Sequence, residues 1–97
     1  MVAKAKKPAL RQAFGLVIRE LRTAAGLSQE QLSFLAKVHR TYIGDLERGL
    51  KSPTLDVVDA ISRALKIEAP ELLASAYRLH AEGTGDETAP RRQRVRK

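Results

Sequence analysis

The segment RTYIGDLER carries Arg40, Thr41, Gly44, Asp45 and Arg48 at spacings of one, three and four residues. On a helix those spacings gather side chains on one face. The types on that face are donors, acceptors and one residue with no side chain. An arginine near the start of such a rod can bond O6 and N7 of guanine with both arms of its fork. A threonine can offer its hydroxyl to a base or its methyl to thymine, and a carboxylate can accept from N4 of cytosine. Glycine lets the backbone itself come close. A rigid rod with this face can read base edges in a major groove.

Each residue has a plainer reading beside that one. Arg40 is the first choice for base reading, with a phosphate contact or a solvated charge as its plainer alternative. Thr41 suits the first turn of any helix. Tyr42 can tuck its ring under a loop or present its hydroxyl to a phosphate. Gly44 costs about 1 kcal/mol in a helix interior, either tolerated or kept for close approach. Asp45 repels phosphate and pairs readily with Arg48 three residues on.

The rod needs a frame. Ser28 followed by Gln31 is a capping box, which starts a helix at Gln29. Leu32, Leu35 and Ala36 give that helix an inward face, and Lys37-Val38-His39 breaks the pattern. The next helix runs from about Arg40 to Arg48, turns Ile43 and Leu46 inward, and stops at Gly49. Gln29 stands where helix N–H groups point at an approaching anion, and Ser28 beside it is first of all a cap. Lys51 and Ser52 lie just past the rod.

An earlier helix is expected over about Ala9–Ala25, with Leu10, Phe14, Val17, Ile18, Leu21 and Ala25 as its stripe. Gly26 ends it and Leu27 folds back over the end. Thr54 caps a fourth helix with Leu55, Val58, Ile61, Ser62 and Leu65 on its buried face. Pro70 suits the first position of a fifth helix, in which Leu72, Leu73, Ala76, Tyr77 and His80 share a broad face. Leu73, Tyr77 and Leu79 exceed what a five-helix core needs, so they are the expected contact surface for a second copy. Packing back on the first helix is the alternative. The expected architecture is all-α: five helices over residues 9–82 between basic arms at 1–8 and 83–97, neither of which can build a core.

Composition narrows the function. With 97 residues the chain makes one domain. The net charge is +7, yet residues 9–82 hold ten basic and nine acidic side chains, so most of the excess lies in the arms. That excess suits a polyanion partner through tail electrostatics. The chain has no cysteine, and His39 and His80 are far apart, so no metal, catalytic pair or cofactor is expected. No nucleophile–base set and no phosphate-cradling glycine loop points to an enzyme. No apolar run reaches the roughly 20 residues of a membrane span, and no apolar segment follows the basic start as in a secretory leader. A soluble cytoplasmic protein is expected.

The stretch LSQEQLSFLAKVHRTYIGDLERG, with IRELRTAAG before it and SPTLDVVDAISRALKIEAPELL after it, resembles the Xre-type, phage-repressor-like helix-turn-helix family. The likeness covers about residues 10–74, roughly two thirds of the chain. RTYIGDLERG looks most like the controller proteins of restriction–modification systems, which are small dimeric autoregulators. Three positions depart from the usual pattern. Lys37 stands where the turn often has glycine, His39 where the cap is usually Ser, Thr or Asp, and Ser33 where alanine is usual.

The resemblance implies base contacts from Arg40, Thr41, Tyr42, Gly44 and Asp45, and backbone contacts from Ser28, Gln29, Arg48, Lys51 and Ser52. It implies a structural ion pair between Arg22 and Glu47. It also implies a homodimer on double-stranded DNA that sets helix 3 of each copy in a major groove of a near-palindromic operator. Autoregulation of a restriction–modification operon is the specific role it suggests. The alternative is a protein-binding use of the same fold, as an antitoxin or a bridging coactivator. The basic arms then add phosphate contacts or only nonspecific attraction.

Overall fold

The computed structural model describes residues 7–82. The arms read at 1–8 and 83–97 therefore lie outside the described residues, save Lys7 and Pro8. Five helices follow in order: α1 Leu10–Ala24, α2 Gln29–Ala36, α3 Arg40–Glu47, α4 Leu55–Leu65 and α5 Ala69–Glu82. α1 packs along α5 and crosses α3, while α2 lies between α3 and α4.

Local chemistry sets the helix starts. Ser28 Oγ accepts from Gln31 N at 2.9 Å, and Gln31 Oε1 accepts from Ser28 N at 2.8 Å. Thr54 Oγ1 takes the Val57 N–H at 3.1 Å. Gln12 Oε1 takes the Ala9 N–H at 2.9 Å, half of a box at the start of α1. α5 begins at Ala69, so Pro70 holds its second position rather than its first. The missing N–H costs nothing at either place.

The first four helices end alike. Leu27, Val38, Leu50 and Ile67 each return an N–H to the carbonyl five residues back: Arg22, Ser33, Asp45 and Ser62. This closure requires a left-handed residue between helix and return. Gly26 and Gly49 supply it twice, with φ of 76° and 75°. Lys37 and Lys66 supply it the other two times, with φ of 60° and 61°. A side chain in that region costs about 1–2 kcal/mol, so the turn between α2 and α3 keeps its shape under strain. His39 caps α3 with no side-chain hydrogen bond, the weaker start that its type implies.

Phe14, Val17 and Ile18 of α1 meet Leu32, Ala36, Ile43, Leu46, Val58, Ile61, Leu72 and Ala76 in one core. Leu55 is the clear exception to the expected faces: it is 80% exposed. It is the first residue of α4, so its side chain lies over the preceding loop rather than among the other helices. Leu35 is half exposed because the short α2 buries a stripe of Leu32 and Ala36, and Leu35 stands at its edge. Ala25, expected in the α1 stripe, is the exposed C-cap. Phe34, on the outer side of α2, is 80% exposed.

Candidate nucleic-acid interface

The placement of α3 begins with an ion pair. Arg22 Nε donates to Glu47 Oε2 at 2.6 Å and Arg22 Nη2 to Glu47 Oε1 at 3.1 Å. The pair has little solvent contact. Arg22 Nη1 also donates to Leu27 O at 2.7 Å, and Gln29 Nε2 to Glu47 Oε1 at 2.9 Å. One carboxylate thus joins α1, the start of α2 and the end of α3. Its hydrogen bond and charge raise the Arg22 pKa above the ordinary guanidinium value, against the opposing effect of burial.

The loop after α3 is held from α1. Arg11 Nε donates to Gly49 O at 2.9 Å. A Cβ at Gly49 would stand 2.6 Å from Gln12 Cγ, so this position needs glycine for space as well as for its φ. Lys51 and Ser52 are exposed on the loop that follows.

With Ile43, Leu46 and Glu47 buried, the opposite face of α3 is left for a partner. At roughly 100° per residue, Arg40, Thr41, Gly44, Asp45 and Arg48 fall within about 140° of arc on that face. Arg40, Thr41 and Arg48 are exposed. Tyr42 is half-buried against the core, with Lys51 Nζ 5.9 Å from its ring centre.

Gly44 is buried beneath two side-chain ends. A Cβ there would meet Arg48 Nη1 and Gln29 Oε1, each at 3.5 Å. Gln29 therefore belongs to the same surface as α3, bonded to Glu47 on one side and lying over Gly44 on the other. Ser28, just before it, is exposed and already spends its hydroxyl as a cap. The free space at Gly44 makes an outcome predictable. Gly44→Ala should raise stability by about 1 kcal/mol through helix propensity, read as a higher urea midpoint. It should also weaken DNA binding, because the new methyl stands on the reading face. Unchanged binding would remove Gly44 from the interface.

Carboxylates temper the cations of this face. Glu30 Oε1 lies 3.9 Å from Arg40 Nη1, with both groups exposed. Asp45 Oδ1 accepts from Arg48 Nη2 at 2.7 Å, and Asp45 Oδ2 faces Lys51 Nζ at 3.6 Å. Each oxygen of Asp45 already meets a cation, which leaves it poorly placed to accept from cytosine. Glu30 and Arg11 are functional neighbours that residue type and spacing do not reveal. Glu30 is legible in the sequence only as a first-turn acid, and Arg11 carries no local signal at all.

Of the residues expected on the dimer surface, Leu73 and Leu79 pack partly against the core. Tyr77 is 56% exposed. It borders a shallow apolar depression lined by Leu10, Phe14, Pro53, Leu55 and Leu73. His80 lies apart from any such chemistry, its Nδ1 donating to Pro8 O at 2.7 Å. Among the described residues there is no group of His, Cys, Asp and Glu that could hold a metal ion, and no helix long and apolar enough to cross a membrane.

Comparison with known proteins fits this geometry. A family model described as helix-turn-helix matches residues 18–72. The control protein C.BamHI of Bacillus amyloliquefaciens is 42% identical over 65 residues, covering 66% of this chain and 80% of that protein. The control protein C.SmaI of Serratia marcescens is 41% identical over 56 residues, covering 58% and 67%. The crystal structure of the restriction-modification controller protein C.AhdI from Aeromonas hydrophila superposes with a TM-score of 0.63 at 47% identity, over 64% of this chain and 94% of that one. With an exposed, cation-bearing α3 locked to α1 and α2 through Arg22, Gln29 and Glu47, the chain belongs to the helix-turn-helix family of DNA-binding transcription regulators, and within it is similar to the controller proteins of restriction–modification systems.

Proposed function

We propose that the protein regulates transcription as a homodimer that reads a near-palindromic operator in double-stranded DNA, and that the operator controls its own restriction–modification operon. The observation that carries this reading is the exposed face of α3, where Arg40 and Thr41 share a side with Gly44 and with Arg48 at the C-cap, and where Gln29 of α2 lies over Gly44. Gln29 is held by its bond to the buried Glu47, so the helix framework and this residue need little ordering when DNA arrives, while the Arg40 and Arg48 side chains remain exposed. Arg40 and Thr41 read bases. Ser28, Gln29, Arg48, Lys51 and Ser52 meet the phosphate backbone. Tyr77, with Leu55 beside it, forms the centre of the contact between copies. A two-fold there sets the paired α3 helices on half-sites roughly 34–36 Å apart. Such a regulator acts in the cytoplasm, where its DNA is, and needs neither cofactor nor catalysis.

Fluorescence anisotropy tests the proposal, with the duplex upstream of the protein's own gene beside a shuffled duplex at 150 mM salt. A specific autoregulator should prefer its own duplex by about 10³-fold or more. Equal, weak binding that collapses with salt would count against it. Arg40→Ala should cost about 1–3 kcal/mol on the native duplex, the worth of a bidentate base contact. It should relax the sequence requirement at one base pair per half-site and leave shuffled DNA nearly unaffected. A uniform loss on both duplexes would make Arg40 a phosphate contact instead.

A further inference from the structure

We infer that Asp45 is a positioning residue that holds Arg48 and Lys51 in place and restrains them from phosphates of the wrong sequence. The inference rests on the DNA-binding reading above. An acid on a face meant for a polyanion needs an account, and its surroundings provide one. Asp45 is the less exposed member of both its ion pairs, with its side chain 15% exposed against 62% for Arg48 and 56% for Lys51. The two cations come from opposite ends of the turn that closes α3. They meet on the two oxygens of the one carboxylate, at 2.7 and 3.6 Å.

Two further contacts fix the arrangement. The Asp45 carbonyl takes the Leu50 N–H at 2.9 Å, so the residue that gathers the cations also folds their loop. The Tyr42 ring lies beneath Lys51 Nζ, its centre 5.9 Å away. Lys51 therefore has both a carboxylate and an aromatic face as neighbours.

Exposed ion pairs of this kind are weak and exchange readily with a phosphate. On arbitrary DNA, however, a cation that leaves Asp45 strands the carboxylate against the polyanion, so both cations stay on Asp45 and meet no phosphate there. On the operator, Arg40 and Thr41 set a register in which Arg48 and Lys51 meet phosphates without leaving it. Asp45 thus lowers nonspecific affinity more than specific affinity, and so raises discrimination without touching a base.

The test compares Asp45→Asn with Asp59→Asn. Both remove one negative charge, but Asp59 lies on α4, paired with Arg63. Each variant is titrated onto the shuffled duplex across a range of salt concentrations. Each freed cation should steepen the slope of log K against log salt by about 0.9, which is roughly fivefold in affinity at 150 mM. Asp45→Asn should therefore gain roughly 5–30-fold on shuffled DNA with a slope steeper by about 1–2, and lose discrimination accordingly. Asp59→Asn should follow the wild type. Adding Arg48→Ala and Lys51→Ala to Asp45→Asn should erase the gain. Equal slopes for Asp45→Asn and Asp59→Asn would overturn the inference. So would a loss of preference at one base pair with the slope unchanged, which would make Asp45 a base reader. The shuffled duplex keeps the two readings separable: a wild type that fails to prefer its own duplex defeats the proposed function, whereas the contrast between the two variants judges Asp45.

Discussion

Glu47→Ala is expected to unfold the protein rather than to remove one contact with DNA. The substitution leaves Arg22 Nε and Nη2 and Gln29 Nε2 without their acceptor. It also leaves a guanidinium that is only 11% exposed without a counter-charge. Breaking a buried pair from one side costs roughly 3–5 kcal/mol. A domain of this size has about 5–15 kcal/mol in all, so the loss takes roughly a fifth of its stability at the least and nearly all of it at the most. Urea denaturation followed by circular dichroism should show the midpoint falling steeply, and binding to any duplex should fall with the folded fraction. Removing both charges at once separates the causes. Arg22→Met with Glu47→Met leaves no buried ion and should be more stable than Glu47→Ala alone. A Glu47→Ala protein that melts like the wild type yet fails to bind would overturn the structural role and make Glu47 a residue that serves binding, through Gln29 or by itself.

The features legible in the sequence are those that a few neighbouring residues decide. Ser28 with Gln31, and Thr54 before Val57, mark helix starts because cap and N–H are three residues apart. Gly26 and Gly49 mark helix ends because glycine takes a left-handed turn at no steric cost. Lys66 hides the same turn, because nothing local distinguishes a lysine held there by its neighbours' packing. Leu55 misleads for a related reason. Its spacing to Val58 puts it on the buried stripe, but the stripe begins a residue before the helices that cover it. At the interface, residue type and periodicity are enough to set Arg40, Thr41, Gly44 and Arg48 on one face. Which partner each side chain takes is not periodic information. Gln29 to Glu47 and Asp45 to Lys51 depend on how helices cross and loops fold, and only the assembled structure brings them together.

Gly15→Ala shows how much rests on one such crossing. Gly15 lies mid-way along α1, where a glycine weakens the helix by about 1 kcal/mol. Its buried position faces the end of α3. A Cβ there would stand 2.9 Å from the Glu47 carbonyl oxygen and nearer still to that of Leu46. Both are backbone atoms of the turn that carries Arg48 and closes onto Gly49, so neither can swing aside as a side chain would. Overpacking costs about 1–3 kcal/mol where neighbours can shift, and rigid neighbours put this site at or above the top of that range. Even after the helix gain, the melting temperature should drop by about 10 °C, at roughly 4–8 °C per kcal/mol for a domain of this length. The molecules that stay folded must hold α3 farther from α1, which moves the reading face relative to Gln29. Specific affinity should therefore fall more than the folded fraction does. Gly44→Ala is the matched control, being the same change in a helix where the new methyl meets only two flexible side-chain ends. If both variants raise stability, α1 and α3 part freely and the crossing does not set the interface. If Gly15→Ala alone loses stability, and its specific affinity falls further than its folded fraction, the distance between these two helices is what holds α3 in its reading position.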